Sequence, residues 1–213
     1  RKLRPNHRDT GTVWSVGSRR NAGRCFTVDR DGKAVGEVDW SLIGDHNMGN
    51  ALAALAAAHH AGVEPATAVA ALSSFRGVKR RMELIHEAAG VRVYDDFGHH
   101  PTAIRTTLQG LRDQVGSDEI VAIIEPRSHT MSLGTLRNEL TTCCAAADRS
   151  IWFRSPKLTW DLAEVVAASV VPAQMAEDID RLVTTVVKQL ANRTRDAAGH
   201  PNPCHIVIMS NGS

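Results

Sequence analysis

The run Asp95-Asp96-Phe97-Gly98-His99-His100-Pro101 sets two carboxylates and two imidazoles side by side, directly after the alternating apolar residues Val91 and Val93 and directly before a helical pattern. A strand that ends in such a run delivers acids, bases and hydrogen-bonding groups to the carboxyl edge of a sheet, where open α/β folds bind ligands. Adjacent acids, adjacent histidines and a proline are poor core material, and the alternative is a solvated turn with aspartate caps. A second polar block, Glu125-Pro126-Arg127-Ser128-His129-Thr130, follows the apolar strand 120–124 and so falls on the same rim. There Arg127 can fork onto a substrate carboxylate, with Ser128 and Thr130 as hydrogen-bond donors. Two polar blocks on one rim favour a site over two unrelated turns.

Two more segments carry chemistry. Gly44-Asp45-His46-Asn47-Met48-Gly49-Asn50 opens an alanine-rich helix, whose unsatisfied amides and dipole favour polar ligands. Asn47 and Asn50 share a face, and a carboxamide offers the donor and acceptor needed to read an adenine edge; otherwise both are capping residues. Lys79-Arg80-Arg81 places fixed cations just before a strand, where guanidinium forks suit phosphate oxygens; otherwise it is a solvated basic turn. His59-His60 is read as polar packing, because neighbours on a helix diverge and no acid or cysteine sits three or four positions away. No Gly-x-x-x-x-Gly-Lys-Ser/Thr phosphate loop occurs in these residues.

The elements that must position these groups are legible in the pattern. Short β-like runs at Thr12–Val16, Arg24–Asp29 and Ala34–Trp40 are separated by turns, with Arg30-Asp31-Gly32-Lys33 as a hairpin signal. Asp45 is expected to cap a buried helix over Met48–Ala61, followed by a second helix over Pro65–Ser74. Strands are predicted at Met82–Glu87, Val91–Asp95, Ile120–Ile124, Ser150–Phe153 and Cys204–Met209. Helices are predicted at Pro101–Val115, Leu133–Ala146, Trp160–Ser169 and Glu177–Ala191, and Asn192–Pro203 reads as a surface loop. Near-continuous apolar strands such as Val121–Ile124 and Ile206–Met209 suit a parallel sheet covered on both faces. Met131, Met175 and Met209 are assigned to the core, and Trp152 and Trp160 to packing.

Composition bounds the class. With 213 residues, 43% hydrophobic and 23% charged, the chain is globular; 25 basic against 23 acidic residues, without a basic–aromatic run, argue against nucleic-acid binding. The basic Arg1–Arg8 stretch reads as a solvated tail. No apolar run of membrane length and no secretory leader pattern is present, so the chain reads as a soluble cytosolic protein. Cys25, Cys143, Cys144 and Cys204 show neither zinc nor disulfide spacing and are expected to be buried thiols.

In order, Gly44-x-His46-Asn47-x-x-Asn50-Ala51-Leu52-Ala53-Ala54, Phe75-Arg76-Gly77-Val78-Lys79-Arg80-Arg81-Met82-Glu83, Asp95–Pro101, Glu125–Met131 and Met209-Ser210-Asn211-Gly212 resemble the carboxyl-terminal part of a Mur ligase, from about Val35 onward. Gly98 departs from that family's more usual alanine. The resemblance implies an α/β fold in which residues 1–75 are the remnant of a central ATP-binding domain and residues 76–213 form a terminal Rossmann-like domain with a mostly parallel sheet. Residues 1–43, lacking most of that central domain's sheet, are then expected to be loosely ordered or to pair with another copy. By the same resemblance the parent enzyme joins a cell-wall tripeptide, L-Ala-γ-D-Glu-meso-diaminopimelate, to UDP-N-acetylmuramate through an acyl phosphate, using ATP and Mg²⁺. His46, Asn47 and Asn50 are implied to hold adenine, Arg81 the ATP phosphates, and Asp95 with Asp96 the ribose. His99 and Arg127 are implied to orient the peptide, supported by His100, Ser128 and Thr130. Magnesium ligands and the catalytic lysine are implied to lie upstream, so no metal site is expected here and the 213 residues alone are expected to be inactive. A member that adds L-alanine to UDP-N-acetylmuramate, and a non-catalytic nucleotide- or peptide-binding module, are the alternatives.

Overall fold

A computed structural model describes residues 11–156, 158–196 and 198–210, without the side chains of His129 and Thr130; the basic tail lies outside these residues. The chain divides into two compact units, Arg1–Gly77 and Val78–Ser213.

In the first unit, β1 (Trp14–Arg20), β2 (Cys25–Arg30) and β3 (Lys33–Asp39) form an antiparallel sheet in that order. Asp31 and Gly32 make the β2–β3 turn with φ of 51° and 78°, the left-handed pair that two-residue hairpins require. Residues 14–39 thus form a three-stranded sheet of their own. Helix α1 spans Asp45–His60 and α2 spans Pro65–Ser74. Helix α1 begins earlier than its hydrophobic pattern: Gly44, at φ 86°, occupies the cap position, and Asp45 is instead the first helical residue, paired with Arg19 at 2.5 Å. Nor is α1 buried all round. Met48, Ala51, Leu52 and Leu55 form one stripe that packs with Trp14, Phe26, Val28, Val38 and Trp40, while alanines cover the exposed side at little cost in helix propensity.

The second unit is a six-stranded sheet of order β4-β5-β9-β6-β7-β8, built from β4 (Glu83–Ala88), β5 (Val91–Asp96), β6 (Glu119–Ile124), β7 (Arg149–Phe153), β8 (Ala173–Ala176) and β9 (Cys204–Met209). Only the edge hairpin β4–β5 is antiparallel; the other neighbours are parallel. Helix α3 (Pro101–Val115) links β5 to β6, and α6 (Leu162–Ala167) links β7 to β8. Helix α7 (Ile179–Ala191) carries the chain back in the opposite direction to β9, so right-handed crossovers put it on the other face. There Leu182, Val186 and Leu190 pack on Val121, Ile123, Ile151 and Ile206.

The expected helix over Leu133–Ala146 is broken. Only α4 (His129–Ser132) and α5 (Arg137–Leu140) are α-helical, separated by Gly134 at φ 70°. Trp160 packs on that glycine, where a Cβ would come within 2.8 Å of the indole Cδ1, and the indole nitrogen donates to the Met131 carbonyl at 2.8 Å. Strand β8 is too short and too poor in β-branched residues to have been anticipated. Met131 and Met209 are buried, but Met175, on β8, is 40% exposed and not core. All four cysteines are free and buried, and burial pushes the Cys204 thiol up to about 12. Among the described residues no helix is long and apolar enough to cross a membrane.

His205 lies inside the sheet, 2% exposed, between the Tyr94 hydroxyl and the Asp118 carboxylate, each at 3.3 Å. Desolvation lowers its pKa below the ordinary imidazole value, outweighing the raising influence of Asp118. The unfolded chain thus binds a proton that the folded chain resists, so this contribution to stability is present above about pH 6.5 and is lost as the pH falls below it. Thermal melts between pH 8 and pH 5 should show a steeper acid-side decline for the wild type than for His205→Gln; equal slopes would remove His205 as the cause.

Candidate functional site

Strand β9 brings the two polar blocks of the second unit together. Met209 is level with Asp96 of β5 on one side and with Ile124 of β6 on the other, so residues 95–100 and 125–128 leave the same rim about two strand spacings, roughly 10 Å, apart. The Ser210 amide donates to the Asp96 carbonyl at 3.2 Å, and the Glu125 amide donates to the Met209 carbonyl at 3.0 Å, extending the pairing past the strand ends.

The two aspartates have different surroundings. Asp96 is 3% exposed; one carboxylate oxygen accepts the Gly98 amide at 2.6 Å, the other the Met82 amide at 3.0 Å. Both its oxygens hold backbone, each with a further lone pair. A Cβ at residue 98 would lie 2.6 Å from Asp96 Oδ1, so glycine is what lets the loop close this tightly. Asp95 is half-buried and accepts Arg80 Nε on Oδ2 at 3.0 Å, while Oδ1 has no hydrogen bond among the described residues.

Phe97 organises the cations. Arg80 and Arg81 both place their guanidinium groups over its ring, at 5.3 and 5.5 Å from the centroid. Arg80 also donates to the Ser210 carbonyl at 2.6 Å. Arg81 is exposed and, among the described residues, its guanidinium makes neither a hydrogen bond nor an ion pair, which leaves its side-chain donors available to an anion. His99 meets Phe97 edge-on at 5.4 Å, with Nδ1 at 3.1 Å from the Phe97 carbonyl. His100 caps α3, accepting the Thr102 amide on Nδ1 at 3.2 Å.

Across the rim, Ser210 Oγ donates to Glu125 Oε2 at 2.5 Å, and Arg127 Nη1 stands 4.0 Å from Glu125 Oε1 with its side chain 37% exposed. Ser128 accepts the Met131 amide at 3.3 Å and so caps α4, as His100 caps α3. The Thr130 side chain lies outside the described residues. Arg80, Glu125 and Ser210 were not singled out as site residues; the position of Ser210 directly after an apolar strand on the same rim was the available signal.

In the first unit, Asn47 donates its side-chain amide to the Ile43 carbonyl at 2.8 Å. That bond fixes the rotamer and leaves the side-chain oxygen as acceptor. His46 is half-buried and Asn50 exposed, one turn further along α1.

A mostly parallel sheet whose polar groups gather at the carboxyl ends of its strands defines a Rossmann-like α/β unit. Residues 80–197 match the model of the family described as Mur ligase, glutamate ligase domain, and the chain belongs to that family. It is 48% identical over 183 residues to the UDP-N-acetylmuramate–L-alanyl-γ-D-glutamyl-meso-2,6-diaminoheptandioate ligase of Escherichia coli strain K12, covering 85% of this chain and 38% of that protein. A UDP-N-acetylmuramate–L-alanine ligase of Caldicellulosiruptor bescii is 45% identical over 112 residues, covering 52% and 24%. The crystal structure of a murein peptide ligase from Psychrobacter arcticus superimposes with a TM-score of 0.64 at 38% identity, covering 93% of this chain and 41% of that one. The chain thus spans about two fifths of the length of the relatives that match most of it.

Removing the Asp96 carboxylate strands two backbone amides, whereas Arg81 has only a ring contact to lose. Urea denaturation should therefore find Asp96→Ala destabilised by about 3 kcal/mol and Arg81→Ala by less than about 1 kcal/mol. Equal effects would contradict this division between scaffold and exposed cation.

Proposed function

We propose that the chain is the carboxyl-terminal portion of an ATP-dependent ligase that joins L-Ala-γ-D-Glu-meso-diaminopimelate to UDP-N-acetylmuramate, with residues 1–75 as the end of the central ATP-binding domain and 76–213 as the terminal domain. The observation that carries this reading is that Asp95 and Arg127 stand at the carboxyl ends of the two strands flanking β9, with Arg81, from the lead-in to β4, over the Phe97 ring beside Asp95. It is supported by the 48% identity to the E. coli enzyme bearing that substrate name.

The reaction has two steps. The muramate carboxylate takes the γ-phosphoryl group of ATP, giving an acyl phosphate and ADP. The amino group of the tripeptide then attacks the acyl carbon, and the tetrahedral intermediate expels phosphate and loses a proton. Such transfers are driven by positioning and by neutralisation of developing charge.

In this reading Asn47 and Asn50, with His46, hold adenine; Asp95 accepts from the ribose hydroxyls; and Arg81 meets the phosphates. Arg127 pairs with a carboxylate of the peptide, and His99, braced by Phe97, orients it. His100 and Ser128 support the peptide by fixing the loops they cap, and Thr130 supports it as a hydrogen-bond donor. No group of three or more His, Cys, Asp or Glu residues that could hold a metal ion gathers among the described residues. The Mg²⁺ of this chemistry is assigned, on the family resemblance, to the upstream part of the enzyme together with the catalytic lysine. ATP and a nucleotide sugar as substrates put the reaction in the cytoplasm, with no part for membrane or nucleic acid.

The 213-residue chain alone should release no ADP from ATP, whereas the ligase that contains it should do so only with both UDP-N-acetylmuramate and tripeptide present. Arg81→Met should lower kcat/KM of that ligase by about 100-fold. Preference for L-alanine in direct competition with tripeptide would instead favour an alanine-adding ligase, and tight ATP or tripeptide binding by the isolated chain would favour a binding module.

A further inference from the structure

The two neighbouring arginines differ in their bonding, and from this we infer that Arg80 is a positioning residue that holds Asp95 for the nucleotide ribose, while Arg81 meets the phosphates. This inference rests on the assignment of Asp95 to the ribose. Arg80 is tied at every level. Its backbone amide donates to Glu83 Oε2 at 2.9 Å, and its carbonyl accepts the Phe97 amide at 2.8 Å. Its guanidinium bonds to Asp95 Oδ2 at 3.0 Å and to the Ser210 carbonyl at 2.6 Å, and it covers one part of the Phe97 ring.

The lead-in to β4 and the ends of β5 and β9 are thereby joined through one planar group. Arg80 adopts φ 58°, and Met82 adopts φ 51°. Left-handed backbone at two non-glycine residues flanking Arg81 is held by its surroundings rather than by local preference. The consequence is geometric. With Oδ2 bound to Arg80, the Asp95 carboxylate cannot rotate freely, and Oδ1 is the atom left to accept a ribose hydroxyl. A guanidinium suits this task because Nε and Nη2 donate in fixed directions to two acceptors; an ammonium has no such fork. Arg80 touches neither substrate nor reacting atoms in this scheme, so its removal should alter how well the ribose is read rather than abolish phosphate binding.

The test is steady-state kinetics of the ligase that carries this chain, with ATP and with 2′-deoxy-ATP. Wild type should prefer ATP by about tenfold or more in kcat/KM, the value of a hydrogen bond to a charged acceptor. Arg80→Met should bring that ratio to within about twofold, chiefly through KM. Arg80→Lys should keep an intermediate ratio and stands in if the methionine variant fails to fold. Arg81→Met should lower turnover with both nucleotides while leaving the ratio at the wild-type value. A wild-type enzyme that prefers ATP, with arginine variants that keep the full preference, would overturn the role of Arg80. A wild-type enzyme without preference would overturn the ribose assignment of Asp95 and the positioning role with it.

Discussion

Taking a carboxylate out of water costs several kcal/mol unless donors surround it, and Asp96 meets that condition with two backbone amides drawn from the neighbouring ends of β4 and β5. The amide of Met82 comes from the lead-in to β4, and that of Gly98 from the turn into α3. Arg80 and Arg81 precede the first, and Phe97 lies just before the second. One buried charge thus fixes the separation between the cations and the ring they cover, and parallel pairing through β9 brings the Glu125–Ser128 turn level with them.

Many polar residues in these motifs build the surface rather than face outward. His100 and Ser128 close the first turns of α3 and α4, Asn47 ties its amide to Ile43, and Asp96 is enclosed. Their bonds to backbone remove the unsatisfied groups that would otherwise burden buried or half-buried turns. What they leave outward is a small set: the Arg81 guanidinium, one oxygen of Asp95, and Arg127 beside Glu125. Side chains with free donors and acceptors at strand ends owe their orientation to neighbours bonded to backbone.

The sequence carried the elements whose signal is local and strong. Helix α2 and α3, with proline in the first turn, and the apolar strand β9 lie where periodicity and capping predict them. The mostly parallel sheet follows from its continuous apolar strands. What periodicity could not carry is tertiary in origin: Leu133–Ala146 has a helical pattern, yet Trp160 claims the space beside Gly134 and the helix breaks. Strand β8 exists because β7 offers an edge, not because Ala-Gln-Met-Ala favours extension. At the rim, the motifs named Asp95 and Asp96 together, and only burial and bonding separate them. Arg80 and Arg81 are likewise equal as letters and unequal in their partners.

Gly98 has a consequence for the packing of this loop. A methyl group there would collide with the very oxygen that grips the residue's own amide, at 2.6 Å. The two positions therefore pack as one unit: a side chain at 98 is seated only as far as the Asp96 carboxylate swings aside to admit it.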